Sequence, residues 1–215
     1  NYIIINHRMN SDLKIYYNDS LLLVTSDRAQ MNKNFTAIFE GEKEVNKFLN
    51  DARILFDGKT NGQILIITTT PRKVLQKLYE QTQLVIAGGG IVFNERNELL
   101  MIFRRGKWDL PKGKIEANEE IITGAAREVE EETGVLIETV SEKPVHTYHA
   151  YTLKGKKSVK ETSWYEMKAK PNQLQLTPQT EEDIEDVRWV KLKDLKKYKS
   201  GCYPLIWDLI NQYAY

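Results

Sequence analysis

The chain has 215 residues, 41% hydrophobic and 28% charged, with a formal net charge of +1. This is globular composition for one large domain or two small ones, and it argues against a nucleic-acid coat or an acidic tail as the basis of function. One cysteine, Cys202, leaves no disulfide within the chain and an idle thiol. No apolar run is long enough to span a membrane. Residues 1–6 lack the basic lead and the length of a signal segment, so a soluble, cytoplasmic protein is expected.

Along the chain, 2–5 and 20–26 read as strands from their apolar runs. Val45, Phe48, Leu49 and Ala52 fall at helical spacing and predict a helix near 42–53. "GQILIITTT" (62–70) is β-branched and strand-like; Pro71 then opens a helix with Val74, Leu75, Leu78 and Tyr79 on one face. The polar "EQTQ" at 80–83 predicts a hinge. It sets a small α+β domain at 1–82 and a second domain at 83–215. Apolar strands follow at 84–93 and 98–104, joined by the turn "NERN". Residues 104–118 read as loop, and a helix fits 119–132, ended by Gly134. Strands near 144–153 and 158–169 flank the basic turn "KGKK", "VRWV" is a short strand, and Pro204 opens a last helix with Leu205, Ile206, Leu209 and Ile210 facing in.

The stretch "GKIEANEEIITGAAREVEEETGV" (113–135) carries the chemistry. Glu128, Glu131 and Glu132 stand at i, i+3 and i+4 and share one helix face, where like charges repel. A hard divalent cation takes several oxygen ligands, and three carboxylates on one face supply them. Gly124, Ala125 and Ala126 have almost no side chain and let the other face lie close on a sheet. Arg127, eight residues after Glu119, can pair with it and pin the entering loop to the helix. Glu116, Glu120 and Glu130 read as ordinary solvent-facing residues.

The spacing Gly113, Glu119, Arg127-Glu128-Val129, Glu131-Glu132, Gly134-Val135 resembles the Nudix box at every fixed position. The resemblance extends over about 84–215 and does not reach 1–80. It implies an α/β/α sandwich with a mixed sheet, the box forming loop–helix–loop. It also implies hydrolysis of a nucleoside diphosphate linked to another group, with Mg2+ or Mn2+. Carried over by position, Glu128, Glu131 and Glu132 would hold metal, helped by the carbonyl of Lys112, while Glu119 and Arg127 would form the structural pair. The chemistry agrees: metal ions neutralise a pyrophosphate and lower the pKa of a bound water, and a general base is still required. In many members that base is a glutamate ahead of a late strand, where Glu181 and Glu182 stand here; Glu182 is favoured as base or added ligand.

Around the box, Arg104, Arg105, Lys107, Lys112 and Lys114 can hold phosphates, and Trp108 can stack on a base or anchor packing. Lys160, with Lys154, Lys156 and Lys157, can reach a polyphosphate tail. Tyr151, sixteen residues past Val135, matches a marker of members acting on dinucleoside polyphosphates. "GKWDLPKGKIE" resembles the entry loop of those members, of enzymes on diphosphoinositol polyphosphates, and of RNA 5′-pyrophosphate removers. The expected partner is a small nucleotide or polyphosphate, with no membrane and no stable nucleic-acid partner, and a homodimer kept open. The rival readings are a silent nucleotide-binding regulator and a pyrophosphohydrolase acting on oxidised nucleoside triphosphates or RNA 5′ ends. Residues 1–82 show no metal cluster, glycine-rich phosphate loop or basic stripe; a dimerisation module, a lid over the substrate or packing support is expected of them, with dimerisation or substrate access favoured.

Overall fold

The computed structural model describes residues 12–57, 61–172 and 175–214. The strand expected at 2–5 lies outside them. The chain divides into two compact units, Asn1–Gln83 with His149–Val159, and Leu84–Tyr148 with Lys160–Tyr215.

The first unit is built from β1 (Leu13–Tyr17), β2 (Ser20–Thr25), β3 (Ala37–Glu40), α1 (Glu42–Asn50), β4 (Gln63–Ile67) and α2 (Pro71–Gln81). β1 and β2 form an antiparallel hairpin, whereas β4 runs parallel to β2 and to β3, in the order β1-β2-β4-β3. The helices bury the faces their spacing predicts, Val45, Phe48 and Leu49 on α1 and Val74, Leu75 and Leu78 on α2. α1 ends earlier than its periodicity suggests. Asp51 leaves the helical region at φ −136°, and Ala52–Leu55 continue as a tighter 3-10 turn. At "EQTQ", Glu80 and Gln81 close α2, the Thr82 hydroxyl donates to the Leu78 carbonyl at 2.7 Å, and the next strand starts at Gln83, where the leading segment of the first unit ends. Residues 149–159 are held in this unit by the Thr152 hydroxyl, which donates to the Phe56 carbonyl at 2.6 Å, and by Lys157 over the Phe56 ring.

The second unit centres on β5 (Gln83–Phe93) and β6 (Glu98–Arg104), followed by β7 (Lys107–Asp109) and β8 (Lys112–Lys114). Then come α3 (Ile121–Thr133), β9 (Ile137–Val140), β10 (Val145–Leu153), β11 (Lys156–Ala169), β12 (Ile184–Lys191) and α4 (Pro204–Ile210). The central order is β12-β6-β5-β11, with β7 on β6, β8 on β5 and β9 on β11. The segment expected to be loop, 104–118, thus holds two three-residue strands, each too short for an alternation to show in sequence. Leu99, Leu100, Met101 and Ile102 are all fully buried, so both faces of β6 are covered. On one face Leu100, Ile102 and Val92 pack with Ala125 and Val129 of α3. Phe93, on the opposite face from Val92, meets the Tyr213 ring just past α4, with centroids 5.3 Å apart. Helical layers on both faces of the strands give the α/β architecture expected from the box.

Candidate active site

The close seat of α3 comes from two glycines in β5, Gly88 and Gly90. A Cβ added at Gly88 would stand 2.8 Å from the Ala125 Cβ, and one at Gly90 2.7 Å from Val129 Cγ2. Ala125 plays its expected part, but Gly124 does something else. The space its side chain would fill holds the Glu119 carboxylate, 2.6 Å from an added Cβ. Gly113 likewise makes room for a carboxylate, since an added Cβ would stand 1.8 Å from Glu128 Oε2. Two glycines of the motif therefore exist to let two of its glutamates fold back against the backbone.

Arg127 is the hub. Its Nε donates to Glu119 Oε1 at 2.8 Å and its Nη2 to Glu119 Oε2 at 2.9 Å, a bidentate pair. Its Nη1 donates to Glu128 Oε1 at 3.0 Å and to Glu131 Oε2 at 2.8 Å. The Arg127 guanidinium, aided by the Glu116 backbone N–H, holds the Glu119 carboxyl down to about 2. Glu119 also receives the Glu116 N–H at 3.0 Å, which ties the entering loop to the helix. Glu130, expected to face solvent, instead accepts the Ile137 N–H at 2.9 Å and caps the start of β9.

Glu132 has no exposed surface. Its carboxylate accepts the Lys112 backbone N–H at 2.7 Å and a long bond from Arg104 Nη1 at 3.4 Å. Burial pushes it up to about 7, against the pull of Lys112 and Arg104. Glu128 is also raised, first by burial, with the Glu131 and Glu182 charges adding to it.

The end of β6 joins these carboxylates to the late loop. Arg104 Nη2 lies 4.0 Å from Glu182 Oε2, and Arg105 pairs with Asp183 at 2.9 Å. The Thr177 N–H donates to the Thr133 carbonyl at 2.8 Å and the Gln179 N–H to the Glu132 carbonyl at 3.2 Å, which docks the loop on the C-terminal end of α3. Glu182 itself keeps an exposed carboxylate on the side of Glu128 and Arg104. Asp183, at φ 61°, and Asp109 are site residues that sequence reasoning missed. Asp109 is buried, takes the Lys112 ammonium at 2.9 Å and caps the Leu110 N–H. Only its place before "LPKG" could have signalled it.

Three of the basic residues expected to hold phosphate are tied to protein groups, while Lys114 is exposed. Lys112 pairs with Asp109, Arg105 with Asp183, and Lys107 lies over the Tyr203 ring at 5.2 Å. Lys160 is desolvated, which lowers its ammonium to about 8 with help from the Lys112 and Arg104 charges, while Asp109 and Glu132 oppose. It therefore sits in the same polar knot as Glu132. Trp108 is surrounded by protein: Phe103 and Tyr198 rings 5.1 Å away and the Arg188 guanidinium at 5.2 Å. Tyr151 belongs to the first unit, where its ring stacks on His149 at 5.3 Å.

The donor set fits a hard divalent ion, since all the candidate side-chain ligands are carboxylates on one helix beside a backbone strand. Among the described residues, no three His, Cys, Asp or Glu side chains stand ready around one point. The hydrogen bonds say why: Arg127 Nη1 occupies Glu128 and Glu131 together, and Glu132 is turned to the Lys112 N–H.

The family model for the NUDIX domain matches residues 84–206, more than half of the chain. The chain belongs to the Nudix family. It is 32% identical over 104 residues to Nudix hydrolase 8 of Arabidopsis thaliana, covering 45% of this chain and 28% of that protein. It is 31% identical over 137 residues to the m7GpppN-mRNA hydrolase dcap-2 of Caenorhabditis elegans, covering 61% and 17%. The chain thus spans less than a third of the length of each of these two relatives. A MutT protein from Methanosarcina mazei Go1 is similar in structure at a TM-score of 0.45, with 22% identity over 62% of this chain and 94% of that one. No described helix is long and apolar enough to cross a membrane.

Proposed function

We propose that residues 83–215 form a metal-dependent pyrophosphohydrolase acting on a nucleoside diphosphate linked to a further group, with a dinucleoside polyphosphate as first candidate. The observation that carries this is the complete set of box carboxylates, with Glu119, Glu128 and Glu131 around Arg127 and Glu132 on the Lys112 N–H and Arg104. A regulator that only binds nucleotides would have no use for a fully buried Glu132 beside Arg104 and Lys112. Glu128, Glu131 and Glu132, with the Lys112 carbonyl, would hold Mg2+ or Mn2+. When bound, such an ion neutralises phosphate charge and lowers the pKa of water.

The chain's own residues do the rest. The Glu119–Arg127 pair keeps the loop before α3 in place. Arg104 and Lys160 bring positive charge to phosphate oxygens beyond the carboxylates. Glu182, exposed and facing the Glu128 side, is placed to take the proton of an attacking water. Lys107, Lys112, Arg105, Trp108 and Tyr151 remain candidates for substrate recognition in the bound state, when their present partners can be exchanged. The first unit is proposed to govern dimerisation or substrate access.

The test is a substrate panel with Mg2+ or Mn2+ in ¹⁸O water: dinucleoside polyphosphates, oxidised nucleoside triphosphates and capped or 5′-triphosphate RNA. The last two classes follow from the names of two relatives, the mRNA hydrolase of Caenorhabditis elegans and an 8-oxo-dGDP phosphatase of Mus musculus. Glu132→Gln should keep the fold by circular dichroism and lose at least about a hundredfold in kcat/KM. Full activity in that variant overturns the metal assignment.

A further inference from the structure

The first unit holds a groove that the hydrolase chemistry does not use. β2, β3 and β4 run parallel, so their carboxyl ends, Thr25, Glu40 and Ile67, lie on one edge of the sheet. α1 and α2 both start from that edge, at Gly41 and Thr70. Between them is a cavity of about 580 Å³. Ligands of open α/β sheets bind outside the carboxyl ends of the strands, and 300–1,000 Å³ is the ordinary range for small-molecule sites.

Its lining has two characters. The floor is apolar, made by Val45, Leu49, Ile67 and Val74, all buried. The rim carries Arg28, Lys73 and Lys77, the hydroxyls of Thr68–Thr70, and, on the α1 side, the carboxylates Glu40 and Glu42. Arg28 is committed to Glu40 at 2.6 Å, and Lys77 donates to Asn46. Lys73 has no acidic partner among the described residues, and it stands one turn into α2 beside Thr68, Thr69 and Thr70. Neither helix has a side-chain cap on its first turn; α1 carries Glu42 and Glu44 there, whereas α2 carries no acidic residue, so the positive dipole end left unanswered at the groove is that of α2. An inorganic anion would leave the apolar floor unused. A neutral ring would leave Lys73 unanswered. A ring bearing a phosphoryl group answers both.

We propose that this groove binds a small phosphomonoester, its phosphoryl group on Lys73 and the threonine run and its ring on the apolar floor. The chemistry is shared by nucleoside monophosphates and sugar phosphates. The inference is independent of the hydrolase reading, because it uses no residue of the second unit.

The experiment titrates the full chain, in Mg2+ buffer, with AMP, ribose 5-phosphate, inorganic phosphate and adenosine by calorimetry. The same titrations are run on Lys73→Gln and on Val45→Trp, which fills the floor. At least one phosphomonoester should bind saturably, at least about tenfold tighter than adenosine, and Lys73→Gln should weaken it about tenfold, the worth of one charged hydrogen bond. A preference for AMP assigns a nucleotide and a preference for ribose 5-phosphate assigns a sugar phosphate. Binding by neither ester, equal binding of adenosine and AMP, or binding indifferent to both substitutions overturns the proposal. Lys73→Gln is an exposed change and keeps the test decisive if Val45→Trp does not fold.

Discussion

In the second unit a carboxylate with no exposed surface, Glu132, sits beside an arginine whose side chain is only 14% exposed. In the first unit, the ion pair on the rim of the groove, Arg28 with Glu40, has side chains 77% and 35% exposed. Charges taken out of water must be met by fixed partners, or the structure pays several kcal/mol for each. Charges at a rim can be re-paired by solvent or by a ligand. The difference explains why one unit carries a rigid spacing of residue types and the other only amphipathic patterns.

The comparison breaks most sharply at the glycines. A Cβ at Gly113 would land 1.8 Å from Glu128 Oε2, so Gly113→Ala must displace a buried carboxylate. We expect about a hundredfold loss of hydrolysis and a stability loss of about 1–3 kcal/mol. In the first unit, Gly155 has φ 76° and nothing within 4 Å of an added Cβ. Gly155→Ala should cost about 1 kcal/mol of turn strain and leave hydrolysis unchanged. Urea unfolding and a turnover assay on both variants check the pair. Equal effects on turnover would mean that Gly113 does not serve the carboxylate.

What was legible in the sequence follows the same division. The face of α3, the Glu119–Arg127 pair and the αL Gly134 were all readable, because buried charge and helix ending each demand a residue type at a fixed offset. Gly88 and Gly90 of β5 were read only as strand, since nothing local says that a helix presses on them. The Arg105–Asp183 pair spans 78 residues and has no sequence signal. β1 and β3 were missed for another reason. "LKIYY" buries three consecutive residues, and "AIFE" is a four-residue edge strand, so neither shows a clean alternation.

A smaller effect separates the units by pH. Tyr17 is fully buried, its hydroxyl donates to the Gly62 carbonyl at 2.8 Å, and burial pushes it up to about 12. The protonated form is the one the fold holds. Its contribution is complete below the unfolded value near 10 and is lost as pH rises through about 12. The stability advantage of the parent over Tyr17→Phe should shrink by on the order of 1 kcal/mol between pH 10 and 12. A constant advantage across that window would show that Tyr17 does not titrate with unfolding.

The smallest expected effect concerns Cys202. The thiol is buried and pushed up to about 12, first by burial and then by the Asp109 charge, which disfavours the reactive thiolate. Its backbone bridges that of Trp108, and the Trp108 ring closes on the neighbouring Gly201, 3.2 Å from where a Cβ there would stand. Iodoacetamide should therefore label the native chain at least about a hundredfold more slowly than a free thiol. Trp108→Ala removes the lid and should raise that rate. The same variant decides between the two readings of the tryptophan. If the ring is packing, labelling accelerates while KM holds; if it stacks on a substrate base, KM rises as well. Fast labelling of the parent would overturn the buried placement of the thiol, and with it the packing argument for Trp108.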